Sequence, residues 1–258
     1  MVSDNAGYRT RDVRMVADHE GARTPIGRGT GEGFQMSEML NVMVEVGPKG
    51  KRTVAYARDW PGWERGDKTE ADAIERLLSY RPRYAEVAQL AGLGDAFVAS
   101  TDIEIVDRYP GTGSTDFWGI SFAFPDYDHQ GMSPAGLERE LSLMQAAWAF
   151  FDGVRARVSP EMQKGPRGGG RDRDEIVRHV FGTERDWASK IGVETPPGVM
   201  LTPEGLATHR AAYCEAIRAY HAEGKMARKW PLRYLIRHTA YHTLDHAWEM
   251  EDKNLSRS

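Results

Sequence analysis

The chain has 258 residues, of which 40% are hydrophobic and 28% charged, with a formal net charge of -4. That length fills one large domain or two modest ones, and the charge balance lacks the basic excess of a nucleic-acid-binding protein. A single cysteine, Cys214, excludes a disulfide framework and a cysteine-rich zinc module and fits a reducing cytoplasm, and no apolar stretch has the length to span a bilayer.

Residues 1–35 place Arg9, Arg11, Arg14, Arg23 and Arg28 among Gly27, Gly29, Gly31 and Gly33 with little periodicity. They read as a flexible extension without an apolar run of signal-peptide length. Residues 36–130 have the pattern of a small α+β domain. Asn41 to Val46 alternates and predicts a strand, Gly47-Pro48-Lys49-Gly50 a turn, and Arg52 to Ala57 the second strand of a hairpin. Thr69 is placed to cap a helix with Asp72 at its third position. Ile103 to Val106 and Phe117 to Phe122 predict two further strands, giving a small antiparallel sheet with a helix.

Residues 131–258 are helical in pattern. Ser133 followed by Pro134 starts a helix that runs to about Val158, and Ser159 to Arg171 is a loop containing Gly165-Pro166-Arg167-Gly168-Gly169-Gly170. Further helices are predicted from about Asp172 to Ile191, from Thr202-Pro203 to Gly224, and from Pro231 to about Asp252. Four long helices with short connections favour a four-helix bundle.

The last of these carries His238, His242 and His246 at spacings of four, on a face shared with Leu235, Thr239 and Met250. Two imidazoles at i and i+4 converge on one metal ion, whereas three spread over about 12 Å of one helix do not. A third ligand must therefore come from a facing helix, and His179 fits, sharing an apolar face with Ile176, Thr183 and Trp187. His209 and His221 lie among polar neighbours and read as surface residues, and His19 and His129 fall in expected loops. His246, one turn beyond the pair, is open to the role of a hydrogen-bond donor behind the ligands, a proton carrier or a core residue. With Glu184, Asp245 and Tyr241 it makes up the candidate catalytic groups.

Two resemblances follow from these residues. Residues 40–90, with Asp59-Trp60-Pro61-Gly62-Trp63 after the hairpin and Gly66-Asp67-Lys68-Thr69-Glu70 before the helix, resemble the HicB-like family. Nothing after residue 100 looks like the DNA-binding tail of HicB antitoxins, so the resemblance implies a fold and not their function. Residues 133–252 resemble the DinB-like superfamily of metal-binding four-helix bundles, through Gly168-Gly169-Gly170-Arg171-Asp172-Arg173-Asp174, His179-Val180-Phe181-Gly182-Thr183-Glu184 and His238-Thr239-Ala240-Tyr241-His242. That resemblance implies His179, His238 and His242 as the metal ligands. The sequence departs at His238 from thiol-dependent maleylpyruvate isomerases, which carry a glutamate there. It also implies transferase chemistry with low-molecular-weight thiols, and pairing into a homodimer.

A neutral three-histidine site leaves a divalent ion its full charge, which favours deprotonation of a bound water or thiol. The expectation is a cytoplasmic enzyme that uses zinc, or else nickel, iron or manganese, to activate water or a thiol against a small-molecule substrate, without nucleic-acid or membrane partners. Arg167, Arg171 and Arg173, just before the His179 helix, are placed to hold an anionic co-substrate. The alternative is a non-catalytic, metal-stabilised binding or sensing protein, with Trp60, Trp63 and Trp118 marking a contact surface.

Overall fold

The computed structural model describes residues 39–166 and 168–256, so the expected extension at residues 1–35, with His19, and the glycine-loop residue Arg167 lie outside the described residues. The fold is α+β. Four strands, β1 (Met39–Val46), β2 (Thr53–Ala57), β3 (Glu64–Asp67) and β4 (Asp102–Pro110), form one sheet in the order β3-β2-β1-β4. β1–β2 and β2–β3 are antiparallel, but β1 and β4 run parallel, with a register shift between Val42 and Met43. The sheet is therefore mixed, which corrects the expected antiparallel arrangement. The parallel return needs a crossover, and the crossover is helical: α1 (Glu70–Ser79), α2 (Arg81–Leu90) and α3 (Gly94–Ala99). Thr69 caps α1 as expected, its hydroxyl accepting from the Asp72 amide at 3.1 Å.

Alternation in β1 predicts one wet face, yet every residue from Leu40 to Glu45 is buried. Leu40, Val42 and Val44 face the main core, while Met43 joins Tyr56 and Tyr109 in a second small cluster. Glu45, on that second side, is satisfied completely. Its carboxylate accepts from Thr115 Oγ1, Tyr109 Oη (3.0 Å), Ser121 Oγ (2.7 Å) and the amides of Phe122 (3.1 Å) and Ala123 (3.3 Å).

Two of those partners, Ser121 and Phe122, come from the segment expected to be a fourth antiparallel strand. It is instead a short helix, α4 (Gly113–Trp118), followed by irregular chain. The apolar alternation through Phe122 lost to local capping. Thr112 and Thr115 form a reciprocal capping box at the start, and Gly119 closes the helix in the left-handed region at φ 69°.

After α5 (Asp126–His129) come the four long helices α6 (Pro134–Arg157), α7 (Arg173–Ala188), α8 (Pro203–Ala222) and α9 (Leu232–Asp252). Their starts follow the sequence reading: Ser133 accepts from the Gly136 amide and Thr202 from that of Gly205. A turn of 3-10 helix, Ser189–Ile191, ends the stretch expected to be helical throughout.

α9 lies innermost, with 16 of its 21 residues buried. α6, α7 and α8 pack on it, and so does the turn between β2 and β3. Gly62 in that turn has φ +92° and sits where a Cβ would meet Leu244 Cδ1 at 2.9 Å and Ala240 at 3.0 Å. Around it, Trp63 stacks on Tyr84 at 5.4 Å and Trp60 meets Phe97 edge-on at 4.9 Å. Tyr84 Oη donates to Pro61 O, and Trp63 Nε1 to Leu77 O. Trp60 and Trp63 are thus core residues. The hydrophobic core runs without a break from the sheet into α9 and α6, so the expected boundary near residue 130 is not a gap in packing.

A charged latch completes this junction. Arg237 of α9, buried, donates to both oxygens of Asp128 (3.2, 3.2 and 2.8 Å), to Ser121 Oγ (3.0 Å) and to Ala123 O (3.2 Å), and lies 3.7 Å from Glu64.

Candidate metal centre

α7 and α9 bring three imidazoles together. His179, His242 and His246 each present one nitrogen, and these atoms all lie within 4.8 Å of one another. The ring centroids of His179 stand 5.0 Å from His242 and 4.8 Å from His246, and His242 and His246 are 4.6 Å apart. His242 Nε2 and His179 Nε2 approach to 3.1 Å. Two ligands of a tetrahedral zinc ion sit about 3.3 Å apart, given bonds near 2.05 Å, so the spacing suits an ion between them.

The second ring nitrogen of His246 is taken. Its Nδ1 lies 2.7 Å from Glu249 Oε2, one turn on along α9. Glu249 is held as a carboxylate with its pKa down at about 2, by the hydrogen bond from His246 first and, with burial opposing, by Lys253. A carboxylate only accepts, so Nδ1 carries the proton shared with Glu249, and Nε2 is the nitrogen of His246 left open to the cluster. Burial depresses His179 to about 4, with help from the charges of His246 and Arg171, and depresses His242 to about 2, with His246, His179, His238 and Arg171 adding. Both rings are neutral at pH 7, which is the state that ligates.

His238 stands outside this group. It is 4% exposed and sits in an aromatic sleeve, stacked on Tyr234 (4.8 Å, 16° between planes) and tilted on Trp187 (4.7 Å). Its buried Nδ1 has no hydrogen-bond partner, and burial, then the Arg237 charge, lowers its pKa to about 3. Each step of four residues turns about 40° round a helix, so His238 and His246 face directions about 80° apart. α7 crosses nearer the second of them, and the i, i+4 pair that meets His179 is His242 with His246.

The other candidates disperse. Glu184 is buried on the far side of α7, bonded by Arg210 Nε at 3.0 Å, and Asp245 pairs with Arg65 at 3.2 Å. Tyr241 is buried, with its phenol pushed far up by desolvation first. Arg173 is tied to Asp174 and the Val158 carbonyl, whereas the exposed Arg171 is the arginine whose charge is felt at His179 and His242.

His209, expected on the surface, is 2% exposed, with Nδ1 2.7 Å from Thr195 Oγ1 and Nε2 3.8 Å from Glu184. His221 is half-buried on the Met132 carbonyl, and His129 is exposed at the end of α5. Glu249 was missed, although its i+3 spacing from His246 was there to be read. Away from the histidines, a cleft of about 610 Å³ lies between β1 and the starts of α6 and α9, lined by Arg58, Asp59, Tyr127, Glu140 and Arg233 among others. Comparison with protein-family models, with characterised proteins and with solved structures gives no match for this chain.

Proposed function

We propose that His179, His242 and His246 hold one divalent transition metal, zinc first, and that the protein is a metal-dependent enzyme acting on a small molecule with water or a low-molecular-weight thiol as nucleophile. The observation that carries this reading is the convergence of three imidazoles, one of them oriented by the Glu249 carboxylate. A bound divalent ion would supply a lowered pKa for the water or thiol that joins it.

The residues of the chain do the rest. Glu249 fixes the tautomer and direction of His246. Desolvation and neighbouring charge lower the pKa of the exposed His179 and the half-buried His242, and Arg171 offers a cation to an anionic substrate or thiol carboxylate. Among the described residues the group has three members, and three protein donors leave coordination open. That is the pattern of catalytic zinc, where structural zinc is closed by four, and it favours the enzyme over the sensing alternative. We further place the helical half with the DinB-like bundles and the sheet half with HicB-like units, on the motifs quoted above. In that placement the ligand pair is shifted one turn along α9 from the family's.

Elemental analysis of the purified chain, before and after loading with zinc, tests the site. Wild type is expected to carry one ion per chain, and His179→Ala and His246→Ala to lose it. Wild type that takes up no stoichiometric metal refutes the proposal. A screen of thiol conjugation and hydrolysis on the loaded protein tests the activity, and inactivity throughout favours the sensing alternative.

A further inference from the structure

α4 lifts two large aromatic side chains into solvent. Phe117 is 71% and Trp118 64% exposed, and their rings meet edge to face, 4.6 Å between centroids and 81° between planes. Scattered exposed apolar residues are ordinary, but two adjacent large rings on a six-residue helix form a local apolar knob.

The mount beneath them is firm. Thr115 bonds the buried Glu45, and Asp116 accepts from the amides of Lys49 (2.7 Å), Lys51 (2.8 Å) and Arg52 (3.3 Å), locking α4 to the β1–β2 turn. That turn carries three basic residues next to α4. Lys49 and Lys51 are exposed, and the Arg52 side chain runs past Gly119 at the end of α4. Val46, just before the turn, adds an exposed apolar side chain. The carboxylate of α4 itself, Asp116, spends its oxygens on backbone amides. On a chain of net charge -4, the corner is an apolar tip beside a turn that carries Lys49, Lys51 and Arg52.

We propose that this corner docks on an anionic lipid surface, with Phe117 and Trp118 entering the interfacial layer and Lys49, Lys51 and Arg52 meeting headgroup phosphates. Aromatic rings favour that layer because one end stays wet while the ring leaves water, and basic residues near an anionic leaflet add attraction. A single-stranded nucleic acid also offers phosphates. However, binding of a single strand relies on a basic groove with aromatic platforms for successive bases, and α4 offers one ring pair packed edge to face. The sequence expectation of no membrane partner rested on the lack of a spanning segment. No helix among the described residues is long and apolar enough to cross a membrane, but a surface contact requires none.

The test is co-sedimentation of the full chain with vesicles of phosphatidylcholine alone or mixed with phosphatidylglycerol. Wild type is expected to bind the mixed vesicles and not the neutral ones, and to be released by salt. The double variant Lys49→Gln/Lys51→Gln should bind about 25-fold more weakly, at roughly five-fold per charge. Phe117→Ala/Trp118→Ala should lose binding with an unchanged unfolding midpoint. If that double variant unfolds, quenching by brominated lipid still decides: it should be larger for wild type than for Trp118→Phe. Failure to bind mixed vesicles, equal binding to both vesicle types, equal quenching of the two proteins, or preference for a single-stranded oligonucleotide would overturn the proposal.

Discussion

Replacing His238 by phenylalanine separates burial from metal ligation. The ring keeps its place between Tyr234 and Trp187 and loses only its nitrogens, including the buried Nδ1 without a partner. The folded-state pKa of His238 is about 3, against 6.5 for an unburied histidine. A depressed base means that the unfolded chain binds the extra proton between those values, so its contribution to stability is lost as pH falls below 6.5. At pH 5 the unfolded histidine is protonated by about thirty to one and the folded one is not, which costs wild type about 2 kcal/mol relative to pH 8. Phenylalanine carries no such cost. Urea unfolding of the metal-free protein at the two pH values should show the stability of His238→Phe rising by about 2 kcal/mol relative to wild type on going from pH 8 to pH 5. At pH 8 it should lie within about 1 kcal/mol of wild type, because an unsatisfied buried nitrogen is removed from an aromatic site. The loaded variant should keep its metal. A stability difference that does not change with pH refutes the burial argument, and loss of the metal refutes the assignment of His242 with His246 as the helical pair.

Three other outcomes are expected. Glu249→Gln should weaken metal affinity 10–100-fold, read by chelator competition, because the amide no longer fixes the His246 tautomer as an anion does. Arg237→Ala should cost about 3–5 kcal/mol in chemical unfolding by stranding Asp128 and Glu64. The loss should be greater at pH 8 than at pH 5, since burial already pushes Glu64 up to about 7, and the carboxyl is neutral only below that. Gly62→Ala should lower stability by about 2 kcal/mol or more, measured by thermal or urea unfolding, because a left-handed backbone and contact with Leu244 and Ala240 both oppose a Cβ.

What the sequence made legible was local. Ser133, Thr69 and Thr202 are cap residues whose hydrogen bonds reach three positions along the chain, and the helices begin where they stand. The first two strands were readable from their alternation. The parallel pairing of β1 with β4 was not, since direction is fixed by a crossover of three helices, α2 and α3 unforeseen among them. The short β3 escaped notice because its four residues, Glu64 to Asp67, carry no apolar alternation. The apolar residues from Phe117 to Phe122 imitated a strand while Thr112 and Gly119 specified a helix. Of the candidate centre, His179 and His242 were found from face and spacing. The choice between His238 and His246 was invisible, because both stand four residues from His242 and only the crossing point of α7 distinguishes them. His209 looked solvated by its neighbours in sequence, yet Thr195 and Glu184, distant along the chain, enclose it.

The contact of Gly62 with α9 bears on how this chain can be cut and recombined. Ala240 and Leu244, which meet the turn, alternate along α9 with His242 and His246, so one helix serves the sheet on one side and the imidazoles on another. A fragment starting near residue 131 would keep every histidine of the cluster and lose the surface that covers the back of the helix bearing two of them. Severed there, the helical half would present Ala240 and Leu244 to water as a sticky seam. The two halves are therefore to be expressed and engineered as one piece, and grafting the histidine cluster elsewhere means carrying the Trp60–Trp63 turn along with it.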